Sequence, residues 1–125
     1  MNSLILLNTD ETPLVNLDKD KGIFRIAENS YPDDARKFYE PVLAWLEKYF
    51  QEPNPTTVFE FALSYFNTSS AKIITKILNL LKENRDKTDI KIRWCYESDD
   101  TDMQKSGVRY SQLCGIDFEF VETEI

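Results

Sequence analysis

Thr68, Ser69 and Ser70 set three hydroxyls in a row between Asn67 and Lys72. They stand where an alternating apolar run gives way to a helical one. A side-chain oxygen at such a junction can cap the helix by accepting a backbone N–H, and Asn67 and Thr68 both suit that role. No carboxylate follows within the first turn to occupy the remaining N–H groups. A phosphate on one of these hydroxyls would add about −1.5 to −2 charges beside free donors and a favourable dipole, with Lys72 one turn away. On the residues alone, plain capping is the stronger of the two readings.

A second cluster, Glu97-Ser98-Asp99-Asp100-Thr101-Asp102, offers several oxygens to a divalent cation. Its spacing is not that of an EF-hand loop, and the glycine such a loop needs is missing. The favoured reading is a solvated loop that starts a helix, with Ser98 or Asp99 as cap and the carboxylates near the positive dipole end. Ser30-Tyr31-Pro32-Asp33-Asp34 reads likewise as a helix start, with Pro32 in the first turn and room for a surface epitope at Tyr31. The chain has no histidine, which removes the usual general base and metal ligand. Gly22, Gly107 and Gly115 are too few and too scattered for a phosphate loop or a dinucleotide fingerprint. No catalytic residue, metal or cofactor is expected.

The elements that must position these groups follow from periodicity. Leu14 to Leu17 and Ile23 to Ala27 read as a hairpin turning at Gly22. Between Asp33 and Phe50, apolar residues at helical spacing predict a helix with a wide apolar face and a kink or restart at Pro41. Thr57 to Tyr65 alternates, with Phe59, Phe61, Leu63 and Tyr65 on one face, and Ile90 to Tyr96 does the same. Between them Ile74, Ile77, Leu78 and Leu81 line one side of a helix whose other side carries Lys72, Lys76, Asn79 and Glu83. Strand, helix, strand implies parallel strands joined by a right-handed crossover. A weaker helical pattern from Asp100 to about Cys114, interrupted by Gly107, precedes a last strand at Phe118 to Glu122.

The fold class is therefore α/β, a sheet of about five or six strands. Arg25, Glu60, Lys91, Arg93 and Glu119 on the alternate strand positions put the helices mainly on one face. The expected core is Phe38, Val42, Trp45, Phe59, Phe61, Ile74, Ile77, Leu78, Leu81, Ile92 and Trp94.

With 125 residues, 42% of them hydrophobic, the chain fits a single domain spanning 1–125. Fifteen basic against 22 acidic residues give a net charge of −7, which repels nucleic acid and anionic membrane surfaces. Cys95 and Cys114 form no secretory framework, so a reducing cytoplasm is the expected setting. Leu4 to Leu7 is too short for a signal peptide, and no stretch approaches a membrane span.

Taken together, Ser30-Tyr31-Pro32, Phe38-Tyr39-x-Pro41-Val42, Tyr65-Phe66-Asn67-Thr68-Ser69-Ser70-x-Lys72, Trp94-x-Tyr96, Asp100-x-Asp102-Met103 and Gly107-x-x-Tyr110 resemble the SiaC family of bacterial regulatory phosphoproteins. The resemblance runs from about Thr12 to the C-terminus. Pro32-Asp33-Asp34 departs from the Pro-Glu-Asn of the family but keeps the helix start. The resemblance implies a STAS-like fold and a protein without catalysis of its own. It implies that Thr68 is phosphorylated by a kinase and restored by a PP2C-type phosphatase, and that the unphosphorylated form binds and activates a diguanylate cyclase. Cyclic di-GMP and biofilm or aggregation signalling would be the output. Asn67, Ser69, Ser70 and Lys72 would surround the phosphoacceptor as the partner-facing surface. Tyr31, Asp99, Asp100 and Asp102 would form a secondary epitope. Two other functions compete: partner switching with an anti-sigma factor or other kinase, and a metal-dependent enzyme using Asp99, Asp100 and Asp102.

Overall fold

The computed structural model describes residues 1–124; Ile125, the last residue of the expected domain, lies outside the described residues. The order is β1 (Leu4–Leu6), β2 (Leu14–Asp18), β3 (Ile23–Ser30), α1 (Ala35–Tyr49), β4 (Thr56–Phe66), α2 (Thr68–Glu83), β5 (Asp89–Glu97), α3 (Thr101–Cys114) and β6 (Phe118–Thr123). The strands form one six-stranded sheet in chain order. The first two pairings are antiparallel and the other three parallel. Each parallel crossover advances by one strand in the same direction, so right-handed connections put all three helices on one face. Consistent with this, α1 packs on α2 and α2 on α3. This is the mixed sheet, helix-covered on one side, that the alternation implied. The hairpin turns at Gly22, whose φ of 68° is left-handed, with the Lys21 N–H donating to the Asp18 carboxylate. The short β1 adds a sixth strand that three residues of pattern could not announce.

The core lies between sheet and helices, and Phe24, Ile26, Phe59, Phe61, Ile92, Trp94, Ile74, Ile77, Leu78 and Leu81 are all buried there. Four sequence expectations need correction. On α1 the buried row is Ala35, Tyr39, Val42, Leu46 and Tyr49, whereas Phe38 and Trp45 are only half-buried. Trp45 lies along the flank of the core, stacked on Tyr49 with its indole N–H donating to the Asn2 carbonyl at 2.8 Å. The two apolar rows of α1 are one residue apart, and periodicity alone does not say which meets the sheet. Second, α1 does not restart at Pro41, which is exposed and lies inside one continuous helix. The lost bond is a single one, and the burial on either side outweighs it.

Third, Tyr65 leaves the apolar face. The β3–β4 register skips Ser64, pairing Glu28 with Leu63 and Asn29 with Tyr65, and Glu28 itself sits at φ 71°. This bulge turns Tyr65 outward, 53% exposed, and brings Phe66 against Trp94 and Tyr110. Fourth, Gly107 does not interrupt α3. A Cβ there would fall 2.4 Å from Trp94 Cδ1, so glycine allows the helix to close on the indole, whose N–H donates to the Met103 carbonyl. Val108 and Leu113 of the same helix are exposed.

The uncovered face of the sheet carries a row of alternating charge. Arg25 Nε meets Glu60 Oε1 at 2.9 Å, Arg93 meets Glu60 Oε2 at 3.2 Å, and Arg93 Nε lies 3.6 Å from Glu119. These are register neighbours on β3, β4, β5 and β6, so the ladder follows from strand pairing. Cys95, on the same face, has its thiol pushed up, first by burial and then by the nearby Glu60 carboxylate.

Candidate functional site

The four parallel strands β3 to β6 end on one edge of the sheet, the edge where open α/β sheets place their sites. That edge gathers Tyr31 after β3, Asn67 to Lys72 after β4, and Asp99 to Asp102 after β5. Groups distant in sequence thereby become neighbours along a single rim. Tyr31 and Tyr65, both exposed, meet edge to face with ring centroids 5.7 Å apart.

Asn67 is the cap of α2. Its backbone is extended, and its side-chain oxygen accepts the Ser70 N–H at 2.9 Å. Thr68 is consequently the first residue of the helix, and it is exposed, as are Ser69 and Lys72. The N–H groups of Thr68 and Ser69 have no intrahelical acceptor, as at every helix start, and the first turn contains no acidic residue. The hydroxyl of Thr68 thus stands in a positive local field, with Lys72 one turn further on the same side.

Ser70 is different. It is fully buried, and its hydroxyl accepts from Ser30 Oγ at 2.8 Å, while Ser30 Oγ lies 2.7 Å from the Tyr39 hydroxyl. The expectation that Ser70 faces a partner is corrected accordingly: it joins the end of β3 and the first turn of α2 to α1. The Asn67 N–H completes the tie by donating to the Ser30 carbonyl at 3.1 Å. Burial pushes Tyr39 up to about 12, the Ser30 hydrogen bond opposing it. This hydroxyl cluster was not singled out from sequence, because nothing in the spacing of Ser30, Tyr39 and Ser70 shows that they meet.

The helix starts differ in detail from expectation. Asp34, the last residue of the expected start, caps α1 by accepting the Lys37 N–H at 3.1 Å, and Pro32 precedes the helix instead of lying in its first turn. Asp100, rather than Ser98 or Asp99, caps α3 by accepting the Met103 N–H at 3.0 Å. Asp100 is thereby committed to the backbone. Among the described residues no three carboxylates or cysteines converge as metal ligands, and the grouping proposed at Asp99, Asp100 and Asp102 is not assembled. No helix among the described residues is long and apolar enough to cross a membrane.

Comparison with known proteins agrees with this fold. A solved structure of SiaC of Pseudomonas aeruginosa is 24% identical, covers all of both chains, and superposes with a TM-score of 0.84. The structure of diguanylate cyclase SiaD in complex with its activator SiaC, from the same organism, contains a chain 24% identical to this one. It covers 98% of this chain and 99% of that one, with a TM-score of 0.86. An uncharacterized protein of P. aeruginosa strain UCBPP-PA14 is 25% identical over 119 residues, 94% of each chain. The family model of SiaC regulatory phosphoproteins matches residues 6–123, nearly the whole described chain. Matched by that model over nearly its whole described length, the chain belongs to the SiaC family of regulatory phosphoproteins.

Proposed function

We propose that this protein is a cytoplasmic phosphorylation switch without catalysis of its own. Thr68 is the acceptor, a cognate kinase and a PP2C-type phosphatase set its state, and the unphosphorylated form binds and activates a diguanylate cyclase. Cyclic di-GMP, and with it biofilm or aggregation behaviour, is the output. One observation carries this reading: Thr68 is the exposed first residue of a helix whose cap is Asn67 and whose first turn is free of carboxylates. A phosphate there meets backbone donors, the dipole and Lys72 without rearrangement. The family supports it, as does the cyclase bound to the SiaC of P. aeruginosa.

The phosphate acts locally. Ile73, Ile74, Ile77, Leu78 and Leu81 commit α2 to the core, and exposing each would cost about 1.5–3 kcal/mol, so the helix stays in place. What changes is the surface. A partner packed against an uncharged Thr68 would have to desolvate a dianion, and its affinity falls. Titration calorimetry of the wild type, Thr68→Ala and the phosphorylated protein against a diguanylate cyclase from the same genome tests this. Wild type and Thr68→Ala should bind alike, and the phosphoprotein at least tenfold more weakly. Equal affinity for all three refutes the mechanism.

A further inference from the structure

On the face of the sheet away from the helices, strand pairing lines up one charged row across four strands: Arg25 on β3, Glu60 on β4, Arg93 on β5 and Glu119 on β6. The signs run plus, minus, plus, minus. Such a row is its own complement when read backwards, because reversal exchanges every plus for a minus. Within the chain it is not saturated: Arg93 Nε, although shielded from solvent, has no hydrogen-bond acceptor among the described residues, Glu119 lying 3.6 Å away. Half-buried apolar side chains flank the row, Ile23 and Val58 on one side and Ala62 and Val121 on the other. On a chain of net charge −7 the row itself is neutral, so here a second copy meets no excess of its own sign.

We propose that two copies of this chain pack open face to open face about a two-fold axis running along the strands between β4 and β5. That axis sets Arg25 against the second copy's Glu119 and Glu60 against its Arg93, and both pairs repeat by symmetry. Aligned sheets pack about 10 Å apart, a gap that arginine and glutamate side chains reaching from both sides can span. An axis across the strands would instead oppose each residue of the row to its own copy, like charge on like. The other charges on this face of the four strands fit the same axis: Asp89, Lys91, Glu97 and, just before β6, Asp117 all fall opposite uncharged positions. Asp18 lies on β2, beyond the paired strands, and Glu28 sits at the bulge, outside the alternation. Four strands of about six residues cover roughly 19 by 20 Å, so the two copies bury on the order of 1,000 Å², the lower end for a specific contact and the size of a weak dimer. The helices lie on the other side of the sheet, so the contact stands whether or not Thr68 is a phosphosite.

Sedimentation equilibrium of the full-length protein tests this, with folding checked by urea unfolding. The wild type should show a reversible monomer–dimer equilibrium. Arg25→Glu sets acid against acid across the interface and Glu119→Arg sets base against base, and each should weaken the dimer at least tenfold. The double variant Arg25→Glu/Glu119→Arg restores the cross-pairs while placing like charges side by side within each chain. Its dimer should return to within threefold of the wild type even though its own fold is the least stable of the four proteins. Val121→Lys, which puts a charge into the apolar flank and leaves the row intact, should also weaken the dimer tenfold, and it keeps the test decisive if a reversal fails to fold. Lys76→Glu on α2 should change nothing. A protein that stays monomeric at millimolar concentration, a dimer indifferent to the changes on the open face, or a double variant no tighter than the single ones would overturn the face-to-face pairing.

Discussion

The two ends of the sheet bury the same chemistry and expose different surfaces. At the carboxyl end Tyr39, Ser30 and Ser70 form a buried hydroxyl chain, and at the amino end Tyr49, Thr57 and Thr88 form another, with contacts of 2.7 and 2.9 Å. Both tie helix and strand ends where the chain changes direction. At the amino end the turns bond to one another, although a cavity of about 420 Å³ opens there beside Lys19, Lys48 and Glu52: the Asn54 N–H donates to the Tyr49 hydroxyl, its side-chain amide to the Lys19 carbonyl, and the Asp89 N–H to the Pro55 carbonyl. The carboxyl end presents Thr68 at a helix start with no acid in its first turn, and the exposed pair of Tyr31 and Tyr65. The internal bonding is alike at the two ends, and what differs is the exposed helix start that the carboxyl end carries at Thr68.

The largest effect should come from cutting either chain. Ser30→Ala and Thr57→Val each strand buried hydroxyls and should cost about 2–3 kcal/mol in urea unfolding. Only Ser30→Ala should also alter phosphorylation of Thr68 by its kinase, because only that chain underlies the Thr68 turn. Equal changes in phosphorylation for both would break the comparison.

Alkaline titration sharpens it. Tyr39 ionises near 12 when folded but near its ordinary 10 when unfolded, so the folded state favours the protonated phenol. The associated stability is complete below pH 10 and is lost as pH rises from 10 through about 12. Relative to Tyr39→Phe, the wild type should lose about 2 kcal/mol over that window, read from urea midpoints at pH 9 and 11.5. A constant difference between the two proteins would show that burial of Tyr39 does not govern its ionisation.

Smaller is the effect of Asn67→Ala, which removes the cap and should cost about 1 kcal/mol. Its helix start should fray, and amide exchange at Ser70 should quicken while exchange near Thr57 stays as it was. Smallest is Glu60→Gln on the open sheet face. Its carboxylate serves two half-exposed arginines, so the loss should stay below about 1 kcal/mol and shrink with added salt. Cyclase affinity should not change; if it falls, the open face belongs to the partner surface as well.

Much of this was legible in the residues. Alternation at Phe59 and Phe61 or Ile92 and Trp94, helical spacing from Ile74 to Leu81, and Gly22 at a turn are local signals, and they hold because each reports one element burying one face. The junction of Asn67 and Thr68 was equally local, since a cap needs only its own next turn. Three other matters depended on contacts between distant segments, which no window of sequence contains. Which apolar row of α1 meets the sheet was decided by packing, so Tyr39 and Leu46 went inside in place of Phe38 and Trp45. Tyr65 turned outward because pairing with β3 forced a bulge at Ser64. Ser70 became an internal tether only when α2 was laid against the end of β3 and α1. Periodicity determines what each element must bury, whereas register and helix docking determine which polar groups are left facing one another or the solvent.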